Sequence, residues 1–235
     1  MRVSVVIPTH NEAQSIGRVL ADLPPDVVTE VLVVDSNSTD GTPEIAAKMG
    51  ARVLREPRRG YGRACLTGLA GASSPDVVVF LDGDYSDRPS ELPRLITPIL
   101  AGKADITLGS RLGSTRNSGA MPWHQALGNR FAAGLITLFY GVRITDLGPF
   151  RAGRAEVLRR LELQEQTYGW AVEIILKGAI GGYRIAEVPV SYYPRIGKSK
   201  ISGTLKGTAG AAWFILSLIV RYYFRRRRAR MPRPA

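Results

Sequence analysis

The sequence predicts an α/β fold in which a mostly parallel sheet is covered by helices on both faces. Short apolar runs rich in β-branched residues alternate with segments of helical periodicity through the first half of the chain, as in units of strand and crossover helix. The 235 residues suit one large domain, or a domain with a C-terminal extension. A composition of 45% hydrophobic and 22% charged residues is typical of a globular chain and excludes a disordered one.

The predicted elements follow one another in the order expected of such units. Asn11 can cap a helix after the first strand, and Thr42 with Pro43 can start a second helix. The second half is less regular, and we expect it to share the sheet rather than to form a separate domain. Strands are predicted at residues 3–8, 30–35, 52–55, 77–81, 105–109 and 183–193, with later helices at residues 60–69, 125–140, 154–161 and 170–180 and another beginning at residue 90.

The strand at residues 77–81 carries the most informative pattern of the chain. Five apolar residues, three of them β-branched, read as a buried strand, and Asp82-Gly83-Asp84 follows at once. The two carboxylates can point at one divalent cation at the carboxyl end of the strand, which is where ligands bind in open α/β sheets. Such a cation would neutralise a diphosphate, so we hypothesise chemistry on a nucleotide-linked substrate. The alternative is that the two acids only end a strand and begin a turn.

Polar residues also follow the first two strands, at residues 8–12 and at Asp35. The stretch after the first strand has no glycine, which excludes a dinucleotide-binding turn, and a Walker-type phosphate loop is missing. Gly60-Tyr61-Gly62 lies in the wrong place to replace either motif. His10 and His124 are the only histidines, they do not have metal-ligand spacing, and we interpret both as structural. The pattern fits neither an oxidoreductase nor a kinase.

The net charge of +12 is concentrated at the C-terminus. Seven arginines and no acid occur in the last fifteen residues, directly after an uncharged run at residues 207–220. Those fourteen residues are too few to span a bilayer but suit a buried or interfacial helix. We interpret the segment as a membrane-surface anchor followed by a polybasic lock, and a core helix with a solvated tail is the alternative. No recognition motif accompanies the basic tail, so no nucleic-acid partner is expected.

Cys65 is the single cysteine, so an internal disulfide is impossible and a reducing compartment is expected. The chain goes straight into a strand too short for the core of a signal peptide. With the basic C-terminal segment, these features predict a cytoplasmic protein that is peripheral to the cytoplasmic face of the membrane.

Six spaced motifs run through roughly the first 200 residues: Val6-Ile7-Pro8-Thr9-His10-Asn11-Glu12, Val33-Val34-Asp35-Ser36, Leu81-Asp82-Gly83-Asp84, Gly109-Ser110-Arg111, Asp146-Leu147-Gly148-Pro149-Phe150-Arg151 and Arg195-Ile196-Gly197-Lys198-Ser199-Lys200. In this order they resemble the family 2 glycosyltransferases, and within them the dolichyl- and polyprenyl-phosphate sugar synthases. The resemblance implies an A-type glycosyltransferase fold. Residues 1–202 would form the catalytic domain, with a nucleotide-sugar half at 1–112 and an acceptor half at 113–202. Residues 203–235 would form a membrane-surface helix and polybasic tail.

The resemblance further implies inverting transfer of a hexose from a nucleotide diphosphate sugar, of GDP-mannose or UDP-glucose type, to a polyprenyl phosphate. The implied cofactor is Mg²⁺ or Mn²⁺. A soluble phosphorylated or sugar acceptor is left open, as is a basic adaptor that has kept the fold and lost activity. A membrane-protein partner and a homo-oligomer are left open as well.

Each motif also implies a role for its residues. Asp82 and Asp84 match the positions that hold the metal and the diphosphate. Ser86 stands where dolichyl-phosphate mannose synthases often have a glutamine, a difference that bears on the third metal contact and on the choice of donor. Asp146 matches the loop that approaches sugar and acceptor, where it could orient a hydroxyl or assist the nucleophile, although a turn-forming aspartate would look the same. Glu173 is considered for a similar role. The implied donor-binding set is Pro8, Thr9, Glu12, Asp35, Asp82, Gly83 and Asp84.

Basic residues match the positions that face phosphates in this family. An anionic lipid phosphate is itself a nucleophile, so it needs neutralisation and alignment more than it needs a general base. The implied acceptor-phosphate set is Arg111, Arg116, Arg130, Arg195 and Lys200. The implied catalytic set is Asp84, Asp146, Arg111 and Arg130.

Overall fold

The computed structural model describes residues 1–112, 123–197 and 205–228, without the side chains of residues 123–125, 205–212 and 225–228. Its seven-stranded sheet has the order β3-β2-β1-β4-β6-β5-β7. The strands are β1 (Val3–Thr9), β2 (Glu30–Asp35), β3 (Arg52–Arg55), β4 (Val77–Phe80), β5 (Ile106–Ser110), β6 (Arg151–Arg154) and β7 (Ile185–Pro189). The helices are α1 (Ile16–Ala21), α2 (Thr42–Lys48), α3 (Tyr61–Gly71), α4 (Leu92–Leu100), α5 (Trp123–Tyr140), α6 (Ala155–Arg160), α7 (Trp170–Ile180) and α8 (Leu205–Arg228).

The prediction of a mostly parallel sheet is confirmed. Four of the six strand pairings are parallel, and the two antiparallel ones both involve β6. β6 was not predicted, because its four residues contain no apolar run. It becomes a strand by pairing on both sides, where Ala152 lies opposite Val79 of β4 and Thr107 of β5. Through β6 and β7 the second half of the chain joins the sheet of the first half.

Helices on both faces are confirmed by two separate apolar clusters. Val6 of β1 belongs to the cluster that includes residues of α3, α5, α7 and α8, whereas its neighbours Val5 and Ile7 belong to the cluster on the face of α1, α2 and α4. Successive side chains of a strand point to opposite faces, so a sheet covered on both sides needs continuous apolar strands. Each of these side chains is fully buried and stabilises the fold by about 2 kcal/mol.

Several element ends differ from the prediction for local reasons. Asn11 does not cap α1: its backbone has a φ of 55°, its side chain accepts the backbone N–H of Thr39 at 2.9 Å, and α1 begins only at Ile16. Asparagine tolerates this left-handed conformation because its short polar side chain bonds locally. The predicted strand at residues 183–193 shortens to β7, and a 3₁₀ turn (Pro89–Glu91) precedes α4.

The C-terminal apolar run is part of a longer helix, α8, that packs on α5 and α7. Tyr140 of α5 donates its hydroxyl to the carbonyl of Ile219 at 2.6 Å, and Leu218 and Tyr222 are buried with Ile219 in the core. Within the described residues, no helix combines the length and the apolar character needed to cross a bilayer.

Glycines let α3 begin against the loop that precedes α7. The N–H of Gly62 donates to the carbonyl of Thr167 at 3.2 Å, and that of Arg63 to the carbonyl of Gln166 at 3.0 Å. A Cβ at Gly62 would collide with the carbonyl oxygen of Glu165 and lie 2.8 Å from the Cβ of Trp170. These two first-turn N–H groups of α3 are therefore used by the fold and are not free to bind an anion.

We predict that Gly62→Ala lowers the free energy of unfolding by about 2 kcal/mol, because the new methyl group forces two backbones apart. Gly128→Ala is the control, since a Cβ at that position of α5 meets nothing within 4 Å. The control should leave stability unchanged or raise it slightly through helix propensity. Denaturant titration of both variants gives the measurement, and equal stabilities would contradict the proposed close approach.

Candidate active site

The carboxyl ends of β1, β2, β4 and β5 open on one cavity of about 580 Å³. Loops of the second half, together with residues of α5 and α7 and one residue of α8, complete its wall. The residues from the first half that line it are Pro8, Thr9, His10, Glu12, Ser36, Arg59, Gly60, Tyr61, Ala64, Asp82, Gly83, Asp84 and Arg111. Those from the second half are Asn129, Leu147, Pro149, Thr167, Tyr168, Ala171, Val172, Tyr192, Arg195 and Ile215.

Asp82 and Asp84 lie just beyond β4, on the floor of this cavity. Asp82 Oδ1 is shielded from solvent and has no hydrogen-bond partner among the described residues. Asp84 is buried; its Oδ1 accepts the N–H of Ser86 at 3.0 Å, and its Oδ2 lies 3.3 Å from Nη1 of Arg195. Burial, and then the negative charge of Asp84, raise the pKa of Asp82 to about 7. The neighbouring positive charges are therefore too few to offset the negative charge of the two carboxylates.

This pair has the chemistry of a divalent cation site. A solvent-shielded oxygen without a partner, beside a second carboxylate, is an arrangement that Mg²⁺ or Mn²⁺ would satisfy. Two carboxylates fill only part of the coordination shell. The described residues hold no group of three or more His, Cys, Asp or Glu side chains suited to a metal. A cation bound here would take its other ligands from diphosphate oxygens and water, so the residues fit a cation that is shared with the substrate.

Arg111, directly after β5, is held by a buried ion pair with Asp146. Its Nε lies 2.7 Å from Oδ2 and its Nη2 lies 2.8 Å from Oδ1 of Asp146. The N–H of Arg111 and the amide of Asn129 donate to the same carboxylate, at 3.0 and 2.9 Å. Burial alone would raise the pKa of Asp146, but these bonds and the arginine charge hold it below its ordinary value. Asp146 is thus ionised and fully engaged behind the wall, whereas Arg111 and Asn129 line it.

Arg195 is brought to Asp84 by two segments that run side by side. The N–H of Tyr193 donates to the carbonyl of Ser86 and that of Ile196 to the carbonyl of Asp84, both at 2.9 Å. Burial alone would lower the pKa of Arg195, and the charge of Asp84 raises it above its ordinary value. The guanidinium of Arg195 therefore stays charged beside the carboxylate of Asp84.

Gly83 lets the acidic loop lie against the end of β1. A Cβ there would be 3.0 Å from Cγ2 of Thr9 and 3.4 Å from Cγ of Glu12. Asp35 is not a lining residue: its carboxylate accepts the N–H of Ser38 at 3.0 Å, the Ser38 hydroxyl and, at 3.4 Å, the hydroxyl of Thr9. Asp35 thus shapes the turn after β2, and its neighbour Ser36 supplies the surface that lines the cavity.

The structure brings most of the predicted site residues together. Arg130 is exposed on α5 and lies outside the lining, to which the preceding Asn129 contributes instead. Arg116 and Lys200 fall outside the described residues. The predicted residues that line the cavity are Pro8, Thr9, Glu12, Asp82, Gly83, Asp84, Arg111 and Arg195.

Sequence reasoning missed two parts of the wall. The first is Arg59-Gly60-Tyr61, which lies beyond the carboxyl end of β3 and lines the cavity, although we gave the Gly60-Tyr61-Gly62 stretch no role. A basic pair followed by Gly-x-Gly at a strand end is a signal that could have found it. The second is Thr167, Tyr168 and Ile215, which meet only through the packing of α7 and α8. His10, interpreted as structural, also lines the cavity.

The fold is similar to that of a solved glycosyltransferase. Glucosyl-3-phosphoglycerate synthase from Mycobacterium tuberculosis, in complex with Mn²⁺, UDP-glucose and phosphoglyceric acid, matches with a TM-score of 0.74 at 25% identity, over 94% of this chain and 79% of that one. The same enzyme has been crystallised with Mg²⁺ and UDP, at 26% identity to this chain. The likeness confirms the predicted A-type glycosyltransferase fold.

Two relatives are closer in sequence. The dolichyl-phosphate hexose transferase of Haloferax volcanii is 38% identical over 212 residues, which cover 88% of this chain and 90% of the relative. The undecaprenyl-phosphate mannosyltransferase of Micrococcus luteus is 34% identical over 224 residues, covering 89% and 91%. The family model described as glycosyl transferase family 2 matches residues 4–162. The chain is therefore a glycosyltransferase of family 2.

Proposed function

We propose that this glycosyltransferase moves a hexose from a nucleotide diphosphate sugar to a polyprenyl phosphate at the cytoplasmic face of the membrane. The observation that carries the proposal is one cavity in which an acidic pair, Asp82 and Asp84, faces the guanidinium groups of Arg111 and Arg195. Such a cavity can hold a metal-bound diphosphate and a second phosphate together. The similarity to the dolichyl-phosphate hexose transferase of Haloferax and the undecaprenyl-phosphate mannosyltransferase of Micrococcus supports the acceptor class.

The donor would bind along the ends of β1, β2 and β4. Pro8, Thr9 and Glu12 would hold base and ribose, with Asp35 fixing the turn beside them, while the Asp82–Asp84 pair would hold Mg²⁺ or Mn²⁺. When bound, the cation stabilises the negative charge that develops on the departing diphosphate. The solved neighbour was crystallised with Mn²⁺ and UDP-glucose, which supports this placement of the cofactor.

The acceptor phosphate would bind between Arg111 and Arg195. A phosphate monoester is ionised at neutral pH, so an oxygen of it can attack the anomeric carbon without a general base. The new bond forms opposite the diphosphate, and the electrons of the breaking bond leave with the nucleoside diphosphate, which inverts the configuration. Asp146 would act by fixing the direction of Arg111. Arg116 and Lys200 are proposed as further phosphate contacts, whereas Arg130 lies outside the cavity lining and is not.

The lipid would approach over the outer surfaces of α5 and α8. These helices pack together, with the rings of Phe139 and Tyr223 4.9 Å apart. Large apolar side chains protrude from both helices, and α8 ends in four consecutive arginines, Arg225 to Arg228, so residues 203–235 would act as a membrane-surface unit. The exposed side chains are Leu127, Phe131 and Leu138 of α5, and Trp213, Val220 and Phe224 of α8.

One observation favours a second candidate function. The solved neighbour holds phosphoglyceric acid, a small soluble acceptor with its own phosphate. Arg111 and Arg195 could hold that phosphate equally well. The exposed apolar side chains of α5 and α8 would then not serve to bind a lipid acceptor. The choice of acceptor therefore needs a direct assay.

We predict that the protein transfers a hexose to polyprenyl phosphate when it is assayed with a panel of sugar-nucleotide donors and Mg²⁺ or Mn²⁺. The mass of the product identifies the sugar that was transferred. Asp84→Asn keeps the size of the side chain but removes a metal ligand, so turnover should fall by roughly a hundredfold or more. Asp26→Asn, at an exposed acid outside the cavity, is the control and should keep wild-type rates. Transfer only to 3-phosphoglycerate would establish the second candidate, and full activity of Asp84→Asn would refute the metal site.

We predict that Mn²⁺ affinity rises as the pH increases from about 5.5 towards 7 and then levels off. The pKa of Asp82 is raised to about 7, so below that pH the metal-free protein holds a proton that Mn²⁺ must displace. Without metal, the same raised pKa makes this carboxyl lower stability as the pH rises from about 4 to about 7, because over that range the unfolded state has lost a proton that the folded state still holds. Calorimetry in buffers of different ionisation enthalpy measures the released proton. In Asp82→Asn that release should vanish, and a pH-independent wild-type affinity would contradict the assignment.

We predict that Leu138→Ser with Trp213→Ser lowers binding to anionic vesicles by roughly tenfold, because two side chains lose their apolar contact with lipid. Leu100→Ser, at an exposed leucine that ends α4, is the matched control and should bind as the wild type does. Nucleotide affinity should be the same in all three proteins. Vesicle sedimentation measures the effect, and equal binding by both variants would exclude this surface.

A further inference from the structure

The loop between α6 and α7 depends on its surroundings for its shape. We call residues 163–169 the wall loop, because Thr167 and Tyr168 within it line the cavity beside Ile215 of α8. The loop is neither helix nor strand. Its backbone groups must therefore find partners in neighbouring elements.

Glu173 supplies those partners from α7. Its side chain is fully buried, and its carboxylate accepts the N–H of Gln164 at 2.9 Å and that of Glu165 at 2.7 Å. The ammonium of Lys177 lies 3.0 Å from Oε1 and compensates the charge. Bonds from N–H groups to an ionised carboxylate are stronger than those between neutral groups, so this side chain fixes the start of the wall loop.

The same carboxylate also holds α8. Tyr222, which is buried, donates its hydroxyl to Oε1 of Glu173 at 2.7 Å. One buried side chain thus joins the wall loop, α7 and the C-terminal helix. Neither the donor site nor the metal site uses this group.

Further contacts connect α8 to the wall loop directly. Arg221 pairs with Glu165 at 2.8 Å, and the rings of Phe214 and Tyr168 meet edge to face with centroids 5.3 Å apart. A Cβ on Gly169 would collide with the ring of Phe214, so glycine is needed for this approach. α8 is consequently part of the cavity wall as well as the carrier of the exposed apolar surface.

We propose that Glu173 is a positioning residue that fixes the acceptor side of the cavity by joining the wall loop to α8. The inference rests on the proposed function, because the lipid acceptor would reach the cavity along α8, where Ile215 lines it. The donor residues follow β1, β2 and β4, whereas Glu173 and Tyr222 join the wall loop to α7 and α8. Loosening this junction should therefore weaken the use of acceptor and leave donor binding intact.

Tyr222→Phe tests the junction because it removes one hydroxyl and keeps the ring. Tyr140→Phe is the matched control, since it removes the buried hydroxyl that bonds α5 to α8 at Ile219 and leaves the wall loop untouched. Hydrogen exchange followed by mass spectrometry reports the backbone N–H groups of Gln164 and Glu165 without any need for activity. We expect exchange in that peptide to be roughly tenfold faster in Tyr222→Phe than in wild type, and unchanged in Tyr140→Phe.

Steady-state kinetics supply the second readout. The KM for polyprenyl phosphate should rise roughly fivefold in Tyr222→Phe, while kcat and the KM for the sugar nucleotide stay within about twofold. Glu173→Gln should change the same constants in the same direction, because one amide oxygen cannot accept from the loop and from Tyr222 together. This second variant keeps the test decisive if either protein folds poorly.

The outcomes separate the inference from the proposed function. Equal effects of Tyr222→Phe and Tyr140→Phe would mean that α8 stability alone matters, which overturns the positioning role. Faster exchange with an unchanged acceptor KM, or a parallel rise in donor KM, would also overturn it. If the wild-type protein transfers to no lipid phosphate, the proposed function fails. In that case, hydrogen exchange in the wall loop and the KM for 3-phosphoglycerate together decide the role of Glu173.

Discussion

The burial of Asp82 beside a second carboxylate, that of Asp84, is the constraint on which the site depends. The fold places both acids where parallel strands end, and the surrounding cations only partly offset them. Arg195 reaches Asp84 from the mouth of the cavity, and the buried guanidinium of Arg151 lies near enough for its charge to act on Asp82. The pKa of Asp82 nevertheless stays raised, at about 7. A pair built in this way costs stability in the metal-free protein and favours a divalent cation.

The second half of the chain supplies the positive and apolar parts of the cavity. Both carboxylate oxygens of Asp146 accept hydrogen bonds from Arg111 or Asn129. The guanidinium of Arg111 is therefore held in one orientation when a phosphate binds. Pre-set donors lose little entropy when they bind, which is how electrostatic stabilisation becomes effective. The guanidinium of Arg151 fixes the loop before β6 in a similar way. It donates to the carbonyls of Gly148 and Pro149 in that loop and to the carbonyl of Ala171 in α7.

Much of the fold could be predicted from local patterns, because buried parallel strands need continuous apolar runs and strand ends collect polar residues. The run that ends in Asp82 is the clearest case, and the cavity forms there. β6 could not be predicted, since Arg151–Arg154 has no strand signal and becomes a strand by pairing on both sides. The position of Arg130 was also out of reach, because helical spacing does not say which side of α5 faces the cavity.

The sequence by itself determined the class of fold, the acidic pair at the sheet edge and membership of a glycosyltransferase family. Each of those features can be read from short stretches of residues and from the order of such stretches along the chain, where periodicity and spacing carry the information. Only the tertiary structure decided that Asp146 serves Arg111, that Asp35 serves a turn, and that Glu173 joins α8 to the wall loop. The physical reason is that a buried carboxylate takes its role from the donors packed around it, and those donors come from distant parts of the chain.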